Sequence, residues 1–338
     1  MITVAINGFG RIGRRVFRLL QDYKNIQVVA INDLADTKTL SHLLKYDSVH
    51  GLFNGIVSYD DRHIIVNEEK IPLLNSKHPK TVNWSPYNID FVIESTGKFK
   101  TTSELQNHIN NGAKSVILSV PSSEDTIKTI VIGVNDSSID GSETIISNAS
   151  CTTNNAAPMI DVINKLCGIN QAYITTVHSY TTDQSLHDQP HRDLRRARAA
   201  GQSIVPTTTG AAKALTKIFP DLSDVIGGCG IRVPVINGSL TDITFNVKKD
   251  VSIADINNAF KEASKNHYKG ILEYIEDPIV SIDIVGNTHS CVFDSGMTSV
   301  IGNMVKIIGW YDNETGYSKR IIDLICNLSE KKCILSIK

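Results

Sequence analysis

The chain has 338 residues, of which 41% are hydrophobic and 20% are charged. This composition is typical of a folded globular protein, and the length is sufficient for two domains. The 34 basic and 35 acidic side chains nearly balance, so no overall field indicates a nucleic acid or an anionic membrane as a partner.

The sequence also argues against several locations and site types. No apolar run reaches the roughly 18 residues that a membrane-spanning helix needs, and the first residues are typical of a strand rather than a signal peptide. The six cysteines are scattered and form no C-x-x-C pair, which argues against a disulfide framework and a zinc site. We therefore expect a cytoplasmic protein without a metal.

The first predicted elements are an apolar strand, a glycine-rich turn and an amphipathic helix. The turn has the G-x-G-x-x-G pattern, in the run Asn7-Gly8-Phe9-Gly10-Arg11-Ile12-Gly13. Gly8 makes the tight turn, Gly10 lets the backbone approach a pyrophosphate, and Gly13 lets the helix pack closely on the strand. The anion would lie on the helix N-terminus, so this context predicts a dinucleotide site.

The second predicted strand ends at an acidic residue, Asp33, which follows Gly13 by 20 residues. A carboxylate in this place can accept hydrogen bonds from a ribose 2′-hydroxyl and would repel a 2′-phosphate. The sequence therefore predicts NAD rather than NADP as the cofactor.

Further strands continue the alternation with helices, at residues 90–94, 115–119, 129–134 and 144–147. The first of these leads into Ser95-Thr96-Gly97, whose small side chains would let the backbone touch a cofactor. This rhythm predicts a doubly wound, mainly parallel sheet. Residues 59–74 instead alternate like an antiparallel hairpin inserted in the layer.

A single cysteine stands out at the next predicted strand-to-helix junction, in Ser147-Asn148-Ala149-Ser150-Cys151-Thr152-Thr153-Asn154. The helix start favours a thiolate at Cys151, and its N–H groups could hold an oxyanion. Small polar residues are also ordinary helix caps, so the motif needs partners elsewhere. Pro158 lies inside the predicted helix, which indicates a kink or a later start.

The candidate partner of the cysteine is His178, in a predicted strand over residues 171–180. An imidazole beside a thiol can shuttle its proton. A long loop over residues 181–203 then carries four arginines, and Thr207-Thr208-Thr209-Gly210 opens another helix. Both features suit phosphate binding. Strands at residues 240–247 and 304–310 and helices at residues 252–263 and 317–328 complete the chain.

The chain resembles the phosphorylating glyceraldehyde-3-phosphate dehydrogenases, and the similarity runs essentially from end to end. It rests on four motifs in the family's order: Ala5-Ile6-Asn7-Gly8-Phe9-Gly10-Arg11-Ile12-Gly13-Arg14, Ser147 to Asn154, Asp193-Leu194-Arg195-Arg196-Ala197-Arg198-Ala199-Ala200 and Trp310-Tyr311-Asp312-Asn313-Glu314-Thr315-Gly316-Tyr317.

The resemblance implies a role for each matching residue. Cys151 would attack the aldehyde of glyceraldehyde 3-phosphate, and His178 would take the thiohemiacetal proton as hydride passes to NAD. Inorganic phosphate would then attack the thioester and release 1,3-bisphosphoglycerate, a step of glycolysis and gluconeogenesis. The implied cofactor-binding residues are Gly8, Gly10, Arg11, Ile12, Gly13, Asp33, Ser95, Thr96, Gly97, Ser119, Asn313 and Tyr317.

Two sets of phosphate ligands follow from the same resemblance. Thr181 and Arg232 would hold the substrate phosphate, with Asp183 orienting Arg232. The attacking phosphate would be held by Ser150, Thr152, Thr209, Gly210 and either Arg195 or Arg196, of which Arg196 is favoured.

The implied architecture has two domains. A Rossmann-type NAD-binding domain with a doubly wound, mainly parallel sheet covers residues 1–150. An α+β catalytic domain with a largely antiparallel sheet covers residues 151–316. The helix at residues 317–338 would return to the NAD-binding domain. The resemblance also implies a homotetramer in which the loop after Thr181 lies at a subunit interface.

The chain departs from the family pattern at two positions. Gln189, in the loop expected at the interface, precedes Pro190 where many NAD enzymes have an apolar residue or glycine. Asn155 stands where the family commonly has a second cysteine, which removes one route to a disulfide.

Three other functions share some of these features. An erythrose-4-phosphate dehydrogenase shares the nucleophile and the histidine, although Tyr180-Thr181 and Glu314-Thr315-Gly316 have the glyceraldehyde-phosphate form. A nucleotide-binding regulatory or adhesion protein would need no Cys–His pair. A Cys–His hydrolase would leave the nucleotide site unexplained.

Overall fold

The computed structural model describes residues 1–337. The contacts among these residues divide the chain into two units. The first comprises Met1–Ile130, Asp136–Ala149 and Ser318 onward, and the second comprises Val131–Asn135 and Ser150–Tyr317. No helix within the described residues combines the length and apolarity needed to cross a membrane.

Among the described residues, the first unit contains a large sheet, three helices between its strands and, from Ser318, most of the C-terminal helix. The strands are β1 (Ile2–Asn7), β2 (Ile26–Asn32), β3 (Tyr46–Asp47), β4 (Gly51–Leu52), β5 (Val57–Tyr59), β6 (His63–Val66), β7 (Glu69–Leu74), β8 (Ile89–Glu94), β9 (Ala113–Leu118), β10 (Lys128–Thr129) and β11 (Ile145–Ser147). The helices are α1 (Arg11–Leu20), α2 (Thr37–Lys45) and α3 (Thr102–Asn110).

The sheet order is β10-β11-β9-β8-β1-β2-β7-β6-β5, and β3 pairs separately with β4. In this order, all neighbouring pairs from β10 through β2 to β7 are parallel. Strands β6 and β7 form the antiparallel hairpin that the sequence predicts, and β5 adds a third antiparallel strand beside β6. Because the central strands are parallel, β1, β2, β8 and β9 all end at the same edge of the sheet. That edge carries the predicted dinucleotide residues.

The predicted strand over residues 129–134 is wrong beyond its first residue. The strand ends at Thr129, and the chain turns at the following residues, where Val134 N donates to Val131 O over 3.0 Å. Gly133 has a φ of +85°, a conformation that strongly favours glycine and ends the extended run.

The second unit has its own sheet. Its strands are β12 (Ile169–Ser179), β13 (Val205–Thr207), β14 (Ile226–Val233), β15 (Ser239–Val247), β16 (Leu272–Ile275), β17 (Cys291–Asp294), β18 (Ser299–Ile301) and β19 (Met304–Tyr311). The helices are α4 (Cys151–Cys167), α5 (Ala211–Ile218) and α6 (Ile253–Lys265), and α7 (Thr315–Ile337) closes the described chain.

The order of this sheet is β13-β14-β12-β15-β19-β17-β16, with β18 on β19. Most pairs are antiparallel, as predicted, but β12 with β14 and β16 with β17 are parallel. The parallel pair places His178 directly opposite Arg232. The register of these two strands therefore brings together residues 54 positions apart.

Helix α4 begins at Cys151 and continues through Pro158, so the alternative of a later start is wrong. Ser150 caps the helix, because its hydroxyl accepts a hydrogen bond from Thr153 N over 3.1 Å. Ala149, just before the cap, has a φ of +57°. This unusual backbone conformation makes the sharp turn that exposes the first helical residue, Cys151.

Candidate active site

The glycine-rich turn of the first unit has the geometry of a dinucleotide site. A Cβ on Gly8 would lie 2.7 Å from Thr96 N, and one on Gly13 would lie 2.3 Å from Gly8 O. Both glycines are therefore required by close backbone packing. Gly10 has nothing within 4 Å of a Cβ position, which leaves room for a pyrophosphate at the start of α1.

Asp33 lies beside this turn. Its Oδ2 accepts a hydrogen bond from Phe9 N over 2.7 Å, and its Oδ1 accepts one from Ala35 N over 3.0 Å. These bonds hold the carboxylate at the end of β2, and each oxygen retains a lone pair for a ribose hydroxyl. The residues present therefore fit NAD.

The side chain of Arg11 is engaged elsewhere, since its guanidinium donates to Asp47 over 2.7 Å. Arg11 and Ile12 could thus serve the cofactor through the backbone of the first helical turn. Burial by itself raises the pKa of Asp47. The hydrogen bonds from His50 N and Val49 N, together with Arg11, outweigh burial and lower the pKa to about 2.

The remaining predicted cofactor residues of the first unit lie at the same sheet edge. Ser95 Oγ donates to Gly8 O over 2.7 Å, and Ser119 N donates to Glu94 O over 3.0 Å. Gly97 has a φ of +70° and open space around it. Together with Thr96, these residues form a backbone-lined surface beside the glycine-rich turn.

Asn313 and Tyr317 belong to the second unit and are buried there. Asn313 Oδ1 accepts hydrogen bonds from Ser179 Oγ over 2.8 Å and from Ser239 Oγ over 3.0 Å. These two donors fix the orientation of the amide and leave Nδ2 as its donor group, as binding of a carboxamide oxygen requires.

The second unit brings Cys151 and His178 together. Cys151 Sγ lies 3.4 Å from His178 Nε2, within hydrogen-bond distance for sulfur. Burial lowers the pKa of His178 to about 3, and the charge of Arg232 adds to this effect. Burial raises the pKa of Cys151, although Arg232 and the N–H of Thr152 oppose the increase. The free pair is therefore a thiol beside a neutral imidazole that can accept its proton.

Arg232 contacts the far side of the imidazole. Its Nη1 donates to Ser179 O over 2.9 Å and lies 2.6 Å from His178 Nδ1. Nδ1 itself lies 2.8 Å from the same Ser179 O, which can only accept, so the imidazole proton is placed on Nδ1 and Nε2 faces the thiol as an acceptor. This guanidinium is close enough to stabilise a thiolate once the proton has moved. Sequence reasoning assigned Arg232 only to phosphate binding, because the strand register that places it beside His178 is a tertiary feature.

A cavity of about 170 Å³ opens in front of the thiol. It is lined by both members of the pair and by most of the predicted phosphate ligands: Ser150, Cys151, Thr152, His178, Arg196, Thr209, Gly210 and Arg232. Thr181 and Asp183 lie outside this lining. Gly210 precedes α5, and Thr209 Oγ1 accepts a hydrogen bond from Ala211 N over 3.2 Å.

The two candidate arginines differ in place. Arg196 lines the cavity and donates from Nε to Thr207 Oγ1 over 3.0 Å. Arg195 is exposed and reaches only Pro206 O, at 3.4 Å. The geometry favours Arg196. The Asp183 carboxylate is hydrogen-bonded to Arg196, and its charge also acts on Arg232, so the predicted role of Asp183 in orienting Arg232 stays a prediction.

Comparison with known proteins identifies the family. Residues 2–102 match "Glyceraldehyde 3-phosphate dehydrogenase, NAD binding domain", and residues 150–313 match "Glyceraldehyde 3-phosphate dehydrogenase, C-terminal domain". The chain belongs to the glyceraldehyde 3-phosphate dehydrogenase family. This membership confirms the resemblance, the fold class and NAD as the cofactor.

Similar relatives span nearly the whole chain. Glyceraldehyde-3-phosphate dehydrogenase 1 of Bacillus cereus is 47% identical over 98% of this chain and 99% of its own length. The Mycobacterium avium enzyme of the same name is 49% identical over 96% and 97%, respectively. That of Geobacillus stearothermophilus is 47% identical over 98% and 99%.

Within this family framework, Tyr311 is a residue that sequence reasoning did not single out. Its hydroxyl is hydrogen-bonded to Thr152 Oγ1 and Thr176 Oγ1, each over 2.9 Å. Its ring meets the His178 ring edge-on, with centroids 5.8 Å apart. Its place in the fourth family motif was the available signal.

Asn155, the departure from the dehydrogenase pattern, has a structural role. It is fully buried on α4, and its Nδ2 lies 3.2–3.3 Å from three backbone carbonyls, those of Ser290, Gly309 and Trp310. The amide therefore ties the helix that carries the nucleophile to β19 and to the start of β17.

Proposed function

We propose that this chain oxidises and phosphorylates glyceraldehyde 3-phosphate to 1,3-bisphosphoglycerate with NAD as hydride acceptor. The observation that carries the proposal is the 3.4 Å contact between Cys151 and His178 in a cavity that Arg196 and Arg232 also line. Two guanidinium groups beside a thiol suit a substrate with a phosphate group and a second, attacking phosphate. Neither a hydrolase nor a purely binding role would use both.

The residues of the second unit account for the first chemical steps. Cys151 Sγ forms a bond to the aldehyde carbon while its proton passes through His178 Nε2 to the aldehyde oxygen, giving a thiohemiacetal. His178 Nε2 then takes the proton of that hydroxyl as the carbon is oxidised, which leaves a thioester. NAD, when bound, accepts the hydride lost by the carbon. A neutral imidazole suits both transfers.

The last step uses the phosphate ligands. Ser150, Thr152, Arg196, Thr209 and Gly210 would hold inorganic phosphate while one of its oxygens attacks the thioester carbonyl. The carbon–sulfur bond breaks, the thiolate leaves, and the acyl phosphate is released. Thr181 and Arg232 would hold the phosphate of the substrate. Because Asp183 contacts Arg196, we propose that it acts on that arginine.

We further propose that the first unit binds NAD and that the second carries out catalysis, with the C-terminal helix grouped with the first. The homotetramer and the cytoplasmic location likewise stay predictions. Light scattering on the purified protein tests the assembly, since a tetramer should have about four times the chain mass of 37.1 kDa.

The decisive experiment is initial NADH formation with glyceraldehyde 3-phosphate and NAD, with and without inorganic phosphate. We expect turnover to depend strongly on phosphate. A Cys151→Ser variant should be inactive, whereas Cys167→Ser, at the other end of the same helix, should retain activity. If turnover does not depend on phosphate, the result would instead favour an erythrose-4-phosphate dehydrogenase, in which water hydrolyses the thioester.

A further inference from the structure

Glu94 is a buried acid that the proposed chemistry does not use. It is the last residue of β8, at the sheet edge where β1, β2 and β9 also end. Its side chain has no exposure to solvent. A buried carboxylate is costly unless hydrogen bonds compensate it, so its partners indicate what it does.

Each oxygen of the Glu94 carboxylate accepts two hydrogen bonds. Oε1 accepts from Thr96 N over 2.9 Å and from Thr96 Oγ1 over 2.5 Å. Oε2 lies 2.5 Å from Asn7 Nδ2 and 3.1 Å from His108 Nε2. One carboxylate thus joins the end of β1, the turn after β8 and helix α3.

The direction of the bond from Asn7 is fixed by a backbone group. Ser76 N can only donate, and it donates to Asn32 Oδ1 over 2.8 Å. Asn32 Nδ2 must therefore donate to Asn7 Oδ1, over 2.7 Å. This leaves Asn7 Nδ2 as the group that faces Glu94.

The bond from His108 is fixed in the same way. The indole N–H of Trp84 can only donate, and it lies 2.9 Å from His108 Nδ1. Nδ1 therefore accepts, and the imidazole proton lies on Nε2, facing Glu94. Trp84 and His108 are both fully buried, so this hydrogen bond is shielded from bulk solvent.

Three partners of Glu94 are N–H donors, and the Thr96 hydroxyl, which accepts from Lys98 N, donates as the fourth, so a carboxylate satisfies all four bonds. The partners also adjoin the cofactor surface. Asn7 precedes Gly8, Asn32 precedes Asp33, and the backbone of Thr96 packs where a Gly8 Cβ would lie. A shift of the Glu94 side chain would therefore move three parts of the cofactor surface together: the glycine-rich turn, Asp33 and the Ser95–Gly97 turn.

We propose that Glu94 is a positioning residue for NAD, which aligns these three segments through its four hydrogen bonds. The inference rests on the assignment of the glycine-rich turn as the cofactor site. Glutamine cannot replace it, because its NH₂ group would face the Thr96 N–H in one amide orientation and the N–H groups of Asn7 and His108 in the other. The loss should appear in cofactor binding rather than in the thioester chemistry of the second unit.

The test compares Glu94→Gln with Asp90→Asn, the same chemical change on the same strand. Asp90 lies near the start of β8, where it accepts from Thr3 N and pairs with Lys114. Calorimetric titration of the apo protein with NAD should show affinity weakened about tenfold or more in Glu94→Gln and changed less than about twofold in Asp90→Asn. The KM for NAD should rise while kcat at saturating NAD is retained.

Alkylation of Cys151 by iodoacetamide without NAD should proceed equally in both variants, which separates cofactor positioning from general misfolding. Equal NAD affinities in Glu94→Gln and Asp90→Asn would overturn the inference. If the wild-type protein itself failed to bind NAD, the cofactor assignment would fail instead.

A second pair of variants covers the case in which Glu94→Gln does not fold. His108→Gln retains a donor toward Glu94 and an acceptor toward Trp84, so its NAD affinity should remain near wild type. His108→Leu has neither group, and its NAD affinity should fall at least about threefold. Equal affinities in these two variants would also contradict the proposal.

Discussion

The hydroxyl of Tyr311 offers the sharpest test of the proposed phosphate site in the cavity beside Cys151. In Tyr311→Phe the ring stays against His178, and only the bonds to Thr152 and Thr176 are lost. Thr176 keeps a weak alternative acceptor, Leu240 O at 3.4 Å. The Thr152 hydroxyl therefore loses the partner that orients it, in a cavity where it is expected to contact phosphate.

The size of the effect follows from these contacts. Two buried hydrogen bonds are lost and one hydroxyl is left without its partner, which should lower the free energy of unfolding by about 2 kcal/mol. A looser Thr152 should cost about 1 kcal/mol in phosphate binding, which corresponds to a roughly fivefold higher KM for phosphate. The first burst of NADH should be unchanged, because it precedes phosphate attack.

The matched control is Tyr268→Phe in the same unit. Tyr268 is equally buried, and its hydroxyl donates to Asp161 over 2.5 Å, so the same atom is removed away from the cavity. Urea unfolding should show destabilisation in both variants, and steady-state kinetics should show a raised phosphate KM only in Tyr311→Phe. An equal phosphate KM in the two would refute the assigned role of the Tyr311 hydroxyl.

Four further outcomes are expected. In the wild type, kcat/KM should be more than about 100 times higher for NAD than for NADP. This preference should be smaller in Asp33→Asn, because the charge that repels a 2′-phosphate is lost; comparable kcat/KM values for the two cofactors in the wild type would contradict the prediction. Arg196→Gln should raise the phosphate KM about tenfold or more and Arg195→Gln should not, and the reverse result would reassign the ligand. Peroxide should leave Cys151 without any disulfide to another cysteine of the wild-type chain, whereas Asn155→Cys should allow one between residues 151 and 155; peptide mass mapping distinguishes the two, and an internal Cys151 disulfide in the wild type would contradict the prediction. The pKa of Asp47 in the folded protein is about 2, below its ordinary value of 3.8, so the stability that this carboxylate contributes is present above about pH 4 and lost toward pH 2; urea unfolding of Asp47→Asn should show a lower free energy of unfolding than wild type at pH 7, and the difference should shrink as the pH falls.

Local signals account for what the sequence predicts well. The G-x-G-x-x-G turn lies between a strand and a helix because its glycines, its apolar periodicity and its capping positions act over a few residues. The hairpin at β5–β7 and the helix start at Cys151 follow from the same short-range patterns. The error at residues 129–134 arose because an apolar run outweighed Gly133, whose positive φ ends the strand.

The family resemblance predicted which residues that are far apart in the sequence act together in the site. It determined these pairings least well for residues in the loop after Thr181. Asp183 was expected to orient Arg232; its hydrogen bond goes to Arg196 within the same loop, and its effect on Arg232 stays a prediction. The choice between Arg195 and Arg196 differs by one residue of register, which sequence alone leaves open. The exposure of one and the cavity position of the other favour Arg196.

The sequence by itself determined the chemical inventory: a nucleotide turn, an acid after the second strand, a cysteine at a helix start and a histidine in a strand. Only the tertiary structure decided which of these groups meet and in what protonation state. Arg232 reaches His178 because β12 and β14 pair in register. Four donors converge on Glu94 because β1 and β8 pair in parallel and end together, with His108 of α3 beside them. Burial then shifts the pKa values of Cys151 and His178. Pairing across long stretches of chain and exclusion of water both arise only on folding, so no local pattern encodes them.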